Sequence, residues 1–94
     1  MPDDDPIRIP IEDAIDLHSF APRDVASVVE DYLEAAREAG FSEVRLFHGR
    51  GKGLQRADIQ RRLRGNPLVD QFWDAPESRL GATIVRLRRG DPHA

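Results

Sequence analysis

The chain has 94 residues, no cysteine, 14 Lys and Arg against 17 Asp and Glu, and 39% hydrophobic residues. A chain of this size builds one core and one domain, and without thiols it has no disulfide or cysteine-metal staple, which fits a reducing, cytoplasmic setting. Its start, Met1-Pro2-Asp3-Asp4-Asp5-Pro6, lacks the basic residues and apolar run of a secretory leader. No later window approaches the roughly 20 apolar residues of a membrane helix, so a soluble, unprocessed chain with no membrane partner is expected.

The small net negative charge conceals a division. Residues 1–43 hold 3 basic and 12 acidic side chains, and residues 44–94 hold 11 basic and 5 acidic. An acidic scaffold joined to a basic surface suits an anionic partner, although solvated basic residues that pair with acidic neighbours produce the same count.

Residues 1–13 read as an acidic, extended arm, in which Pro10 argues against a central strand. In Ala14-Ile15-Asp16-Leu17-His18 the alternation predicts a short strand with Ile15 and Leu17 on one face and Asp16 and His18 on the other. Pro22 suits a first helical position, and Val25, Val28, Val29, Tyr32, Leu33 and Ala36 recur at helical spacing until Gly40 ends the helix. Glu43 to His48 reads as a second strand. A glycine loop leads into a second helix over Leu54 to Arg64, with Leu54, Ile59 and Leu63 inward and Gly65-Asn66-Pro67 as its stop. Leu68 to Trp73 forms a third strand, Asp74 to Leu80 a loop, and the β-branched stretch Ala82 to Leu87 a last strand. Residues 89–94 read as a flexible basic tail. The expected fold is a two-layer α/β sandwich of order β-α-β-α-β-β, a four-stranded mixed sheet over residues 14–88 with both helices on one face.

The chemistry lies at two places along this order. His48-Gly49-Arg50-Gly51-Lys52-Gly53 alternates glycine with basic residues between a strand and a helix, an arrangement in which backbone amides and cations hold an anion. A strand-helix-strand unit of this length makes a right-handed crossover between parallel, commonly adjacent strands. Asp16, His18 and His48 should therefore meet at the carboxyl edge of the sheet beside the loop, with Asp16 close enough to His48 for a hydrogen bond, direct or through one water. The spacing excludes the dinucleotide fingerprint, and no Lys-Ser or Lys-Thr follows the loop as a nucleotide-phosphate loop requires. Two imidazoles and a carboxylate suit zinc, manganese or iron, but direct acid-base use ranks ahead of a metal site. One or both of Phe72 and Trp73 are read as core residues, with base stacking as the other possibility.

Asp16-Leu17-His18, the stretch Val44 to Gly53 and Gly81-Ala82-Thr83-Ile84-Val85 together resemble the three signatures of the Smr (small MutS-related) domain, in order, across about residues 14–88. The resemblance implies a two-layer α/β fold in a stand-alone member of a family that includes nucleic-acid binders and endonucleases. It implies roles for Asp16 and His18 from an Asp-x-His motif and for His48, Gly49 and Gly51 from a His-Gly-x-Gly motif. Ser19 stands where the family more often has glycine, and Leu54-Gln55-Arg56 shifts the usual leucine-arginine helix start.

The expected function is cleavage or nicking of DNA or RNA. Asp16, His18 and His48 are the expected catalytic set: one histidine removes a proton from the nucleophile, the other protonates the leaving oxygen, and Asp16 orients an imidazole. Gly49, Arg50, Gly51, Lys52 and Gly53 are expected to hold the phosphate, and Arg56, Arg61, Arg62 and Arg64 to contact the nucleic acid. With RNA the 2′-hydroxyl serves as nucleophile and no cofactor is needed; with DNA a water attacks and a divalent metal can assist. The alternatives are a non-catalytic nucleic-acid clamp and a small protein-interaction module presenting its acidic first helix.

Overall fold

The computed structural model describes residues 11–49, 54–78 and 81–88. Residues 1–10 of the expected arm, the loop residues Arg50, Gly51, Lys52 and Gly53, the tail 89–94 and the side chain of Leu54 lie outside the described residues.

Helix α1, Pro22–Glu38, begins where Pro22 occupies a position whose missing amide hydrogen costs nothing. It ends where Gly40, at φ 94°, reverses the chain, so that the Gly40 and Phe41 amides donate to the carbonyls of Arg37 and Ala36. Between these caps Val25, Val29, Tyr32, Leu33 and Ala36 form one buried stripe. The Tyr32 hydroxyl donates to the Glu12 carbonyl at 2.5 Å and ties the segment ahead of the first strand to the helix.

The strands are β1 (Ala14–Asp16), β2 (Glu43–Phe47), β3 (Val69–Asp74) and β4 (Ala82–Leu87), and the second helix is α2 (Leu54–Arg64). The sheet order is β1-β2-β4-β3. β1 and β2 are parallel neighbours, as expected for a strand-helix-strand crossover, whereas β4 pairs antiparallel with both β2 and β3. Alternation along each strand then sorts the side chains into two layers. Val44 and Leu46 of β2 and Val85 and Leu87 of β4 join the α1 stripe and Ile59 and Leu63 of α2 in a single core, so both helices cover one face. The other face carries a smaller cluster of Ala75, Ala82 and Ile84 with Trp73 packed against it. Phe72 and Trp73 are both half-buried and divide between the layers, Phe72 toward the helices and Trp73 away from them.

Several boundaries differ from the sequence reading. β1 ends at Asp16, because the Asp16 carboxylate accepts the His18 amide and turns Leu17–Ser19 into one turn of 3-10 helix. Leu17 is buried in the core and His18 follows the turn rather than the pleat of a strand. β2 stops at Phe47, one residue before His48. β3 is shifted by one residue, with an irregularity between Val69 and Gln71, and the loop after it contains a 3-10 turn at Pro76–Ser78.

Candidate active site

The carboxyl ends of β1 and β2 lie beside the start of β4, so three separate stretches of sequence meet at one edge of the sheet. Asp16 closes β1, and its Oδ1 accepts the His18 backbone amide at 2.9 Å and lies 2.7 Å from His18 Nδ1. Because a carboxylate only accepts, Nδ1 carries the proton in this contact and Nε2 is left as the available nitrogen. Both side chains are open to solvent, His18 at 59% and Asp16 at 62% exposure. The backbone bond, followed by the imidazole bond, holds the Asp16 carboxyl below the usual carboxylate range.

Gly49 brings the second motif under this pair. Its φ of 81° lies in the left-handed region that L side chains disfavour, and a Cβ there would stand 2.3 Å from His18 Nε2. Only a bare backbone lets the imidazole lie this close, so the glycine and His18 of two separate motifs form one surface.

His48 has the opposite environment. It is 3% exposed, its Nδ1 lies 3.0 Å from the Gly49 carbonyl, and its Nε2 lies 2.8 Å from Thr83 Oγ1. The carbonyl can only accept, so Nδ1 donates and Nε2 accepts the Thr83 hydroxyl proton. Gln60 Nε2 donates to both Thr83 Oγ1 and Asp74 Oδ1, each at 3.0 Å. Arg56 closes the chain of bonds with a two-pronged contact to Asp74, Nε to Oδ1 and Nη2 to Oδ2, both 2.7 Å. Burial first of all pushes the His48 imidazole below its ordinary range, and Arg56 adds to the effect. The Arg56 hydrogen bonds hold the Asp74 carboxyl low. His48 is thus a neutral imidazole with both nitrogens engaged.

Asp16, His18 and His48 therefore do converge on one sheet edge, but Asp16 accepts its hydrogen bonds from His18, and both ring nitrogens of His48 are engaged elsewhere. Gly49 departs from expectation too. Its amide, like that of His48, donates to the Gly81 carbonyl, at 2.9 Å and 3.1 Å respectively, and is not presented to a ligand. Arg50, Gly51, Lys52 and Gly53 lie outside the described residues. Of the α2 arginines, Arg56 is held by Asp74, Arg61 and Arg62 both pair with Asp58, and Arg64 lies 5.7 Å from the centre of the Phe72 ring. Among the described residues no group of three His, Asp or Glu is arranged to hold a metal ion.

The sequence reading missed Thr83 as the partner of His48, missed Gln60 and Asp74, which continue the chain of bonds behind Thr83, and missed Phe47, an exposed aromatic beside Asp16. A polar residue within an apolar strand or next to an inward Ile59 is the available signal for Thr83 and Gln60.

The Smr domain family model matches residues 15–88. Endonuclease MutS2 of Thermus thermophilus is 40% identical over 76 residues, which cover 79% of this chain and 10% of that protein. Endonuclease MutS2 of Caldicellulosiruptor saccharolyticus is 36% identical over 77 residues, covering 80% of this chain and 10% of that one. The chain thus spans about a tenth of the length of these curated relatives. Among solved structures, the Smr domain of Thermus thermophilus MutS2 superposes with a TM-score of 0.77 at 37% identity, covering 82% of this chain and 99% of that one. YdaL, a stand-alone small MutS-related protein from Escherichia coli, shares the fold at a TM-score of 0.75 and 23% identity, covering 85% of this chain and 67% of that one. The matched segment includes both strand-end motifs and the four-stranded sheet that unites them, and on these grounds the chain belongs to the Smr domain family.

Proposed function

We propose that this domain binds nucleic acid and cleaves its phosphodiester bonds, with His18 as the acid-base group and Asp16 as its orienting partner. The observation that carries this reading is the solvent-open Asp16–His18 pair seated on Gly49. The match to part of two proteins that are named endonucleases supports it. Asp16 holds the Nδ1–H form of the imidazole, so Nε2 takes the proton of the attacking oxygen as that oxygen bonds to phosphorus. The bond from phosphorus to the leaving oxygen then breaks, and solvent supplies the proton this oxygen needs. With RNA the 2′-hydroxyl attacks and a 2′,3′-cyclic phosphate results. With DNA a water attacks, a reaction that a divalent ion assists.

His48 receives a different role from the one its motif suggests. Its buried, doubly bonded ring fixes the Gly49 carbonyl and with it the start of the phosphate loop, as a positioning residue. Arg50, Lys52 and the amides of Gly51 and Gly53 would hold the scissile phosphate, and Arg61, Arg62 and Arg64 would contact neighbouring ones.

The test is to incubate the protein with end-labelled single-stranded RNA, duplex DNA and branched DNA, with and without a chelator. His18→Ala should lower cleavage by about two to four orders of magnitude while binding stays within a few-fold, and Asp16→Asn should also slow it. Cleavage by His18→Ala at the wild-type rate would refute the mechanism. Binding with no cleavage by the intact protein would assign the domain to clamping.

A further inference from the structure

We propose that Phe47 is a stacking surface for one unpaired nucleobase, and that it makes the site select single-stranded over fully paired nucleic acid. This deepens the reading above and rests on it. In the parallel register Phe47 lies opposite Asp16, and in the antiparallel register on its other side it lies opposite Ala82. Val44 and Leu46 point into the helix-side core, so alternation places the Phe47 ring on the face opposite α1 and α2, the face that also bears Asp16.

Adjacent strands lie about 4.8 Å apart, which puts Phe47 beside Asp16, the residue whose carboxylate holds His18. It is 37% exposed. Among the described residues the other large hydrophobic so exposed is Phe20, at 38%, and it directly follows the turn that carries His18. Exposed apolar side chains scattered singly over a surface have no special meaning, but here both border the two motifs of the site.

A phenyl group on a strand paired along both edges is held with little freedom to lose, so a base can settle on it at small entropic cost. A nucleotide stacked there has its own phosphate within one nucleotide's length of His18. Inside a duplex both faces of each base are covered by its neighbours, so a paired base cannot use the ring unless it is first drawn out of the stack. Every base has a π-face, so this contact selects strandedness and not sequence.

The experiment uses fluorescein-labelled 2′-O-methyl oligouridine, which has no free 2′-hydroxyl, together with oligothymidine and a matched DNA duplex, read by anisotropy. Phe47→Ala and Phe47→Leu should weaken binding of both single strands by roughly 5- to 150-fold. Phe47→Trp and Phe47→Tyr should stay within a few-fold of wild type, and affinity for the duplex should be equal in all five proteins. Circular dichroism confirms that each variant is folded. Wild-type affinity in Phe47→Ala, or equal affinity for Leu and Phe, would overturn the inference, since an ordinary apolar contact needs no π-face. Equal weakening toward duplex and single strand, or tighter wild-type binding to duplex, would also overturn it while leaving the proposed function standing. Binding to none of the probes would refute both.

Discussion

Gly49→Ala separates what the site needs from what the fold needs. The substitution acts twice: it asks an L residue to hold φ 81°, and it puts a methyl group 2.3 Å from His18 Nε2. The left-handed conformation costs about 1–2 kcal/mol. The steric conflict adds little to this, because His18 is an exposed side chain that can swing away and give up its bond to Asp16. The domain should therefore remain folded, with a melting temperature lower by roughly 4–16 °C at about 4–8 °C per kcal/mol. Cleavage should fall far more than this loss explains, by about two to four orders of magnitude, because the displaced imidazole is the acid-base group. Urea unfolding and a cleavage time course on Gly49→Ala, His18→Ala and the double variant make the comparison. The unfolding cost of Gly49→Ala should persist in the His18→Ala background, whereas the two losses of cleavage should not multiply. Wild-type cleavage by folded Gly49→Ala, or multiplying losses in the double variant, would show that His18 does not act from its place over Gly49.

Thr83→Val should lower stability by about 1–3 kcal/mol in urea unfolding, because it leaves His48 Nε2 buried without its donor, and an unchanged midpoint would contradict the bonding described here. Burial lowers the folded-state affinity of His48 for a proton, so the unfolded chain binds that proton more readily. The stability contributed by neutral His48 is thus present above the unfolded value of about 6.5 and is lost as pH falls below it. The urea midpoint should drop between pH 7.5 and pH 5.5, and a His48→Gln variant that remains folded should show a smaller drop; equal drops would place the acid sensitivity elsewhere. Arg64→Glu should flatten the dependence of log affinity on log salt by roughly 0.7–0.9 per lost phosphate contact. Arg56→Ala should instead lower the melting temperature, since Arg56 is bound to Asp74. Equal salt slopes for wild type and Arg64→Glu would remove that arginine from the binding face.

Features set by neighbours in sequence were legible without the fold. The α1 stripe from Val25 to Ala36, its start at Pro22 and its stop at Gly40 depend on periodicity and on residues with restricted or unusual backbone freedom. The parallel β1–β2 pair and the meeting of the two motifs at its carboxyl edge follow from a strand-helix-strand crossover, which returns the chain to the same end of the sheet whatever the sequence detail. Even the early end of β1 is a local event, an aspartate capping a turn two residues on, although alternation in Ile15-Asp16-Leu17-His18 conceals it.

What only the tertiary structure decided is the fate of groups whose partners lie far along the chain. His18 and His48 read alike as strand-end histidines, yet one is open to solvent and the other is buried against Thr83, 35 residues away. The Gly49 amide seemed available to a phosphate until the Gly81 carbonyl took it, and Arg56 counted as surface charge until β3 set Asp74 against it. Phe47 and Leu46 are adjacent apolar residues of one strand, and only the layer of helices on a single face leaves Phe47 exposed while Leu46 is fully buried. A residue's type and spacing determine which bonds it is able to make, whereas burial and remote donors and acceptors determine which of them it does make. Local sequence therefore specified the strands, the helices and the sheet edge where the motifs meet, and long-range packing assigned the exposed histidine to the solvent side of that edge and the buried one to its support.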